Sequence, residues 1–287
     1  MIRKIIVFVR KHITETILFL LALFVAVPLW MLFSGSFMST DELIDAIGPV
    51  MADTNGIASW PLLPQYPTLQ PMVELLLDSP AFFKMFWNTC LLVFPILAGQ
   101  LVVAVPAAWA FARYSFRGKK LLFTLYIVLM LMPFQVTMVS NFLVLDGLSL
   151  LNSRAAVILP AVFSTFPVFL MVKFFASIPK TVLEAAEIDG ANAWAVFWHI
   201  GFPLGMPGVI SALVLGFLEY WNAIEAPLTF LQDQSLWPLS LYLPGIVADK
   251  AGVSLMASII MMLPAILIFL LGQRHLEQGI RASGLKE

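Results

Sequence analysis

The sequence predicts an all-α, polytopic membrane protein with six transmembrane helices. Of its 287 residues, 61% are hydrophobic and 11% are charged, whereas soluble domains usually carry about 25% charged residues. Apolar stretches of about 20 residues, the length that crosses a bilayer, recur along the chain. A water-soluble globule is therefore excluded, and residues 1–287 are predicted to form a single transmembrane domain.

Six stretches are long and apolar enough to be the predicted spans. They are residues 16–33, 86–111, 121–139, 155–175, 209–228 and 255–271. The first follows a basic lead, as in a signal peptide, but no convincing small-residue cleavage site comes after it. Because five more spans follow, we expect it to be an uncleaved signal anchor.

The positions of lysine and arginine predict the orientation. Basic residues gather in the N-terminal lead, in the 113–120 loop, at 173–180 and in the tail, whereas only Lys84, Arg154 and Lys250 fall on the other side. Cytoplasmic loops carry the excess of Lys and Arg. Both termini are therefore predicted to be cytoplasmic, which agrees with an even number of spans.

The longest outer loop, residues 34–85, has an unusual composition. It carries Asp41, Glu42, Asp45 and Asp53, followed by a proline-rich run at 60–69 that favours extended or turn backbone. Two interpretations stay open at this point: a docking surface for an extracellular partner, or a plain connector.

The cytoplasmic segment at 176–205 interrupts the apolar spans with three acids, Glu184, Glu187 and Asp189. Thr181, with Glu184 three residues later, predicts a capping box at the start of a short helix. Pro179 just ahead is expected to end the preceding helix.

A second short helix is predicted to follow. Ala185 and Ala186 favour the first helix and their small side chains allow close approach, while Gly190 can adopt positive φ and turn the chain. The second helix, at 191–199, is expected to end at Pro203. We interpret the pair as a rigid knob whose apolar side packs on the bundle and whose acids face a cytoplasmic partner. The alternative is that Glu184 only caps its helix.

This segment resembles the EAA loop of ABC-importer permeases. Glu184-Ala185-Ala186, Gly190, Ile200 and Pro203 match its spacing, and Phe202 in place of leucine is the one departure. Weaker motifs narrow the resemblance to carbohydrate-type permeases and extend it over nearly the whole chain. They are Tyr66-Pro67-Thr68-Leu69, Asn88-Thr89, Ala112-Arg113, Met132-Pro133-Phe134-Gln135, Gly147 to Asn152, Trp221-Asn222 and Gln273-Arg274.

The resemblance implies a bacterial inner-membrane complex that imports a sugar or oligosaccharide. This chain would pair with a second permease, two ABC ATPase subunits and an extracellular solute-binding protein. The ATPase-coupling residues that the resemblance implies are Thr181, Leu183, Glu184, Ala185, Ala186, Glu187, Asp189, Gly190 and Pro203.

No nucleotide cofactor site is predicted in this chain. The nearest fragment to a phosphate-binding loop, at 118–120, lacks the upstream glycine and the hydroxyl residue. ATP and Mg²⁺ would therefore bind to the partner ATPase. No basic run or patch of interleaved aromatic residues points to nucleic acid.

The predicted substrate path consists of the polar and aromatic residues expected in the spans: Asn88, Gln135, Glu219, Tyr220, Trp221 and Asn222. Glu219 is an acid within a predicted span, where a charge is costly and needs a reason. The aromatic pair beside it fits an interfacial belt or stacking against sugar rings.

Three other classes of protein are weighed against this interpretation. An ion-coupled secondary transporter would need buried carboxylates near the midplane, and only the off-centre Glu219 is available. An importer of the same architecture for a polyamine or an anion is not distinguished by the coupling loop. A membrane enzyme is rejected, because His12, His199 and His275 lie far apart and Cys90 is alone.

Overall fold

The computed structural model describes residues 2–51, 57–242 and 250–284, with side chains described for 12–50, 57–242 and 250–277. Every regular element in these ranges is a helix, which confirms the all-α prediction. Some residues of the sequence argument have side chains outside these ranges: Arg3, Lys4, Arg10, Lys11, Asp53, Arg281 and Lys286.

The helices follow one another along the chain. They are α1 (Ile2–Gly35), α2 (Thr40–Met51), α3 (Gln70–Leu77), α4 (Pro80–Arg113), α5 (Lys119–Leu131), α6 (Phe134–Gly147), α7 (Arg154–Val162), α8 (Phe166–Ser177), α9 (Lys180–Ile188), α10 (Ala193–Val196), α11 (Phe202–Trp221), α12 (Glu225–Phe230) and α13 (Ala251–Gly284). A π-helical turn at Phe197–Gly201 joins α10 to α11.

Five helical stretches within the described residues are long and apolar enough to cross a membrane. They are His12–Gly35, Pro80–Arg113, Arg154–Ser177, Ala193–Trp221 and Ala251–Glu277, and a sixth results if the bent pair α5–α6 is one span. Four predicted spans (16–33, 86–111, 155–175 and 255–271) lie inside these stretches. A multi-pass membrane protein is therefore supported, with five or six spans.

The predicted span 121–139 is not one straight helix. Helix α5 ends at Leu131, α6 begins at Phe134, and their axes differ by 104°. Met132 between them has extended backbone, with ψ of 122°. The cause is Pro133, since proline lacks the N–H that would continue the ladder and disfavours helical geometry in the residue before it.

The predicted span 209–228 is displaced along the chain. The helical stretch that overlaps it begins at Ala193 and ends at Trp221, and residues 222–224 separate this stretch from α12. Hydropathy located the apolar centre of this helix correctly. Toward the N-terminus, however, the helix continues through Pro203, where the second helix of the knob was expected to end.

The helices group into two compact units. The first consists of residues 1–80 and 243–263, and the second of residues 81–242 and 264–287.

In the first unit, the segment predicted as an outer loop is folded and contains α2 and α3. Met38, Leu43 and Ala251 are buried together, with Trp60 packed against them. The Trp60 indole N–H donates to Ser34 Oγ at 3.1 Å. The proline-rich run is therefore anchored by buried side chains rather than left as a free connector.

A concave surface of about 760 Å³ lies within this first unit. Asp41, Glu42 and Asp45 line it beside Trp60 and Tyr66. The Glu42 carboxylate accepts main-chain hydrogen bonds from Gln65 at 2.8 Å and Tyr66 at 3.4 Å. One of the acids is thus used to hold the proline-rich run.

The second unit is organised around the packing of α8 against α11. Gly205 and Gly208 face the rings of Phe175 and Phe174 so closely that an added Cβ would overlap them. Small residues at a helix interface allow backbones to approach each other, as in other membrane helix pairs. Phe175 is fully buried in this core, which positions the C-terminal end of α8 and the elbow that follows it.

Candidate functional site

The first helix of the predicted knob, α9, begins differently from the prediction. Pro179 is the residue before the helix, with no side-chain cap, and its carbonyl accepts from the N–H of Val182 at 3.3 Å. The predicted capping box of Thr181 and Glu184 is therefore wrong. The extended Pro179 lets the helix start at Lys180, so Thr181 lies within the first turn instead of before it.

The end of α9 agrees with the prediction. Gly190 has φ of +85°, and the N–H of Ala191 donates to the carbonyl of Ala186 at 3.0 Å while that of Gly190 donates to Glu187 at 3.0 Å. This bonding pattern is the Schellman motif, which ends a helix with a left-handed residue. The predicted turn at Gly190 between two short helices is confirmed.

The second helix of the knob does not end at Pro203. Helix α10 starts with Asn192, whose side chain accepts from the N–H of Ala195 at 2.8 Å, and leads through the π-helical turn into α11. There the N–H of Phe202 donates to the carbonyl of Phe197. The wider turn accommodates the missing N–H of Pro203, because a π turn already displaces the regular ladder.

The knob, hereafter the elbow (residues 180–203), has two distinct faces. Leu183 is 8% exposed, and Val196 and Phe197 are buried in the core of the second unit. The acids Glu184, Glu187 and Asp189 are exposed, as are Thr181, Ala185 and Gly190. The elbow therefore has an apolar side on the bundle, as predicted, and an exposed side on which the acids lie beside apolar residues such as Ile188.

Arg113, quoted in the sequence analysis only as part of a motif, anchors the base of the elbow. Its Nη2 donates to the carbonyls of Phe175 at 2.5 Å and Ile178 at 2.6 Å, and its guanidinium lies 5.5 Å from the centroid of the Trp109 ring. A cation at the end of α8 also suits the helix dipole. The available signal in the sequence was an arginine at the last position of an apolar span.

A second feature is a cavity of about 730 Å³ within the second unit. Glu219, Tyr220 and Asn222 line it, so three of the predicted path residues come together. Gln135 lies beside them, because its Nε2 donates to Glu225 Oε1 at 2.5 Å and Glu225 lines the same cavity.

Glu225 is a cavity residue that the sequence analysis did not single out. It belongs to α12, which the sequence analysis merged into the end of the predicted span 209–228. Six residues separate it from Glu219, which in a continuous helix would place the two acids on different faces, so helical periodicity contains no sign that both reach one cavity.

Two predicted path residues lie outside this cavity. Asn88 is 3% exposed; its Nδ2 donates to the carbonyls of Ser235 at 2.8 Å and Trp237 at 3.1 Å, and its Oδ1 accepts from Arg154 at 2.9 Å. Trp221 is buried and stacks on Phe217 with centroids 5.1 Å apart. Both side chains therefore stabilise the fold, Asn88 through hydrogen bonds and Trp221 through packing.

The elbow and the cavity are joined by one helical stretch. It runs from Ala193 in the elbow to Trp221 beside the cavity, 29 residues in all. Gln100 Nε2 donates to Tyr220 Oη at 3.0 Å, which holds the cavity end of this stretch to α4. No group of acids, histidines and cysteines among the described residues has the arrangement of a metal site.

This arrangement defines a class of protein: a helical membrane permease with a cavity lined by apolar and polar residues and with an exposed helical elbow. Residues 100–282 match the model of the family described as binding-protein-dependent transport system inner membrane component, and the chain belongs to that family. Since the family consists of transport components, membership also confirms the prediction that the chain is not an enzyme.

Individual proteins are similar over most of their length. The arabinooligosaccharides transport system permease AraQ of Halalkalibacterium halodurans is 27% identical over 94% of this chain and 95% of its own. The diacetylchitobiose uptake system permease NgcG of Streptomyces coelicolor is 28% identical over 93% of this chain and 86% of its own.

A solved structure shares the fold. It is the crystal structure of a bacterial ABC transporter involved in the import of the acidic polysaccharide alginate. One of its chains superposes with a TM-score of 0.76 at 21% identity, covering 93% of this chain and 96% of that chain.

Proposed function

We propose that this chain is a permease subunit of an ATP-driven importer in the bacterial inner membrane, acting as one domain over residues 1–287. It pairs with a second permease, takes its solute from an extracellular solute-binding protein, and is driven by two cytoplasmic ABC ATPases. Both termini and the elbow face the cytoplasm, in keeping with the positions of lysine and arginine.

The observation that carries this proposal is the elbow. Its apolar side is anchored in the core of the second unit, while Glu184, Glu187 and Asp189 are exposed. A short helix whose end is held by a Schellman motif keeps its shape under load better than a frayed one. These acids are available to basic groups of an ATPase.

The mechanism follows from the continuity of the helix. Closure of the ATPase pair on ATP displaces the elbow, and the 29-residue stretch from Ala193 to Trp221 conveys the displacement to Glu219 and Tyr220 at the cavity. Movement of rigid elements between two packings is a known mode of switching. The cavity thereby opens alternately to the two sides of the membrane.

The solute class that we propose is a sugar or oligosaccharide. The relatives AraQ and NgcG are named for arabinooligosaccharides and diacetylchitobiose, and the transporter of similar fold is involved in the import of alginate, an acidic polysaccharide. Aromatic rings and neutral polar groups such as Asn141 and Thr137 line the cavity, which suits the apolar faces and hydroxyls of sugars. The solutes of these similar proteins differ in charge.

Association with the ATPase is tested by charge reversal on the elbow. In Glu184→Lys, co-purification of the ATPase in mild detergent should fall at least about fivefold, since like charges across an interface are costly. Glu74→Lys, an acid of the first unit, is the matched control and should retain the ATPase. Normal recovery of the ATPase with Glu184→Lys would count against the coupling role.

The assembly itself is tested on the unmodified chain. A mild-detergent pull-down should recover a second multi-pass permease and an ATPase with a phosphate-binding loop. Recovery of a homo-oligomer without an ATPase, together with uptake that survives ATP depletion but stops with an uncoupler, would favour the ion-coupled alternative.

A further inference from the structure

The charges around the cavity of the second unit are all of one sign. Among its described lining residues, Glu219 and Glu225 are the only charged ones, and no lysine, arginine or histidine is present. Both carboxyl groups belong to exposed residues of this chain.

Glu219 occupies a position in its helix at which a negative charge is unfavourable. It lies in the last turn of α11, which ends at Trp221, and the negative end of the helix dipole repels an acid there. An acid in a membrane span also has a desolvation cost. Neither packing nor capping accounts for Glu219, so its carboxylate calls for a role in the cavity.

Glu225 differs from Glu219 in its local setting. It occupies the first turn of α12, where an acid is favourable, and Gln135 holds it at 2.5 Å. This contact positions one oxygen of the carboxylate and leaves a negative charge at the wall of the cavity. Two consecutive helices, α11 and α12, thus place two acids around one cavity.

We propose that this cavity selects solutes by charge, admitting uncharged or amine-bearing sugars and rejecting carboxylated or phosphorylated ones. The inference rests on the proposed function and narrows its solute class. A cleft lined by one sign of charge with low-dielectric walls changes local ion concentrations by about 10- to 1,000-fold. An anionic sugar would also lose water without gaining a cationic partner from this chain.

The test measures the electrostatic potential of the cavity directly. In the assembled complex, Cys90→Ser removes the single native cysteine, and Asn222→Cys or Ala223→Cys places a thiol at the cavity wall. The rates of modification by a cationic and an anionic methanethiosulfonate reagent are then compared with those of a free thiol. The ratio of the cationic to the anionic modification rate should be at least about tenfold higher at the cavity thiol than for the free thiol.

The double variant Glu219→Gln and Glu225→Gln keeps the shapes of both side chains and should abolish most of that preference. Glu74→Gln, outside the cavity, should leave it unchanged. A rate ratio equal to that of the free thiol, or one that the glutamine variant does not alter, overturns the inference.

Transport supplies the second arm of the test. Vesicles containing the wild-type complex should import a neutral oligosaccharide faster than a uronate-containing one of the same length that its binding protein accepts. Equal rates would overturn the charge selection while leaving the importer intact. Absence of ATP-dependent uptake for every solute would instead refute the proposed function. In that case the ratio of the two thiol-modification rates would still test whether the cavity is negatively charged.

Discussion

The guanidinium of Arg113 donates a hydrogen bond of 2.6 Å to the carbonyl oxygen of Ile178, the residue immediately before Pro179. The C-terminal end of α4 is thereby joined to the base of the elbow. A carbonyl at the end of α8 lacks a partner within its own helix, so the arginine satisfies a group that the break at Pro179 leaves open. The hydrogen bond from α4 therefore fixes where the elbow begins relative to the core.

Replacing Arg113 should loosen this attachment. Arg113→Ala is expected to lower the free energy of unfolding by about 1.5–3 kcal/mol, the range for hydrogen bonds to charged groups. It should also reduce solute-stimulated ATP hydrolysis in vesicles. Arg113→Lys should restore only part of the stability and of the ATP hydrolysis, since lysine lacks the planar guanidinium with its several N–H donors.

Thermal unfolding in detergent and ATPase assays measure the two effects. Arg117→Ala, an exposed arginine four residues later, is the matched control and should change neither. Wild-type coupling in Arg113→Ala would show that the elbow keeps its position without this attachment.

The turn of the elbow depends on Gly190. Its φ of +85° lies in the left-handed region while the space around it is open, so a substitution is penalised by backbone strain rather than by a clash. Gly190→Val should cost about 1–2 kcal/mol and reduce solute-stimulated ATP hydrolysis without preventing insertion.

Two comparisons isolate the backbone effect at Gly190. Gly190→Asn should retain most of the coupling, because asparagine tolerates the left-handed region, and Gly147→Val, at an open position without positive φ, should retain it fully. If valine and asparagine at residue 190 give equal coupling, strain at the turn is not what matters.

Asn88 is expected to act through stability rather than through the solute. Asn88→Leu leaves the carbonyls of Ser235 and Trp237 and the guanidinium of Arg154 without their partner. The expected loss is about 1–3 kcal/mol for each buried group left unsatisfied. The melting temperature in detergent should fall clearly.

The exposed Asn222 provides the contrast, because its Nδ2 bonds only to the carbonyl of Leu218 in its own helix. Asn222→Leu should alter the melting temperature much less than Asn88→Leu does. Equal melting temperatures for the two variants would remove the structural role assigned to Asn88.

The acid Asp233 should show a local pH effect. Hydrogen bonds from the Ser235 hydroxyl, and then from its N–H at 2.7 Å, lower the pKa of Asp233. Because the folded pKa is depressed, this stabilisation is full above the ordinary value of about 3.9. It is lost as the pH falls through the lowered value.

Ser235→Ala should therefore raise the pKa of Asp233 toward its ordinary value. Carbon NMR of labelled aspartate carboxyl groups measures this, with Ser240→Ala as the control, since the Ser240 hydroxyl bonds to the carbonyl of Ala223 instead. An unchanged Asp233 titration in Ser235→Ala would assign the shift to another group.

Local chemistry made several features of this protein predictable from its sequence. The all-α class and the apolar spans follow from the recurring apolar stretches of about 20 residues, since a helix of that length satisfies its own backbone polar groups as it crosses a bilayer. The turn at Gly190 is equally local, because glycine is the residue that adopts positive φ without strain.

The tertiary structure decided what depends on neighbours distant in the chain. Pro133 broke a predicted span, whereas Pro203 was absorbed by a π-helical turn, and the same residue type gives no local sign of which outcome applies. Glu219 and Glu225 line one cavity because α11 ends at Trp221 and a break at residues 222–224 separates it from α12. Asn88 is a structural residue because the carbonyls of Ser235 and Trp237 lie within hydrogen-bond distance of its side chain. Pattern and propensity describe one segment at a time, but the packing of segments far apart in sequence determines which polar groups are satisfied and which face an open space.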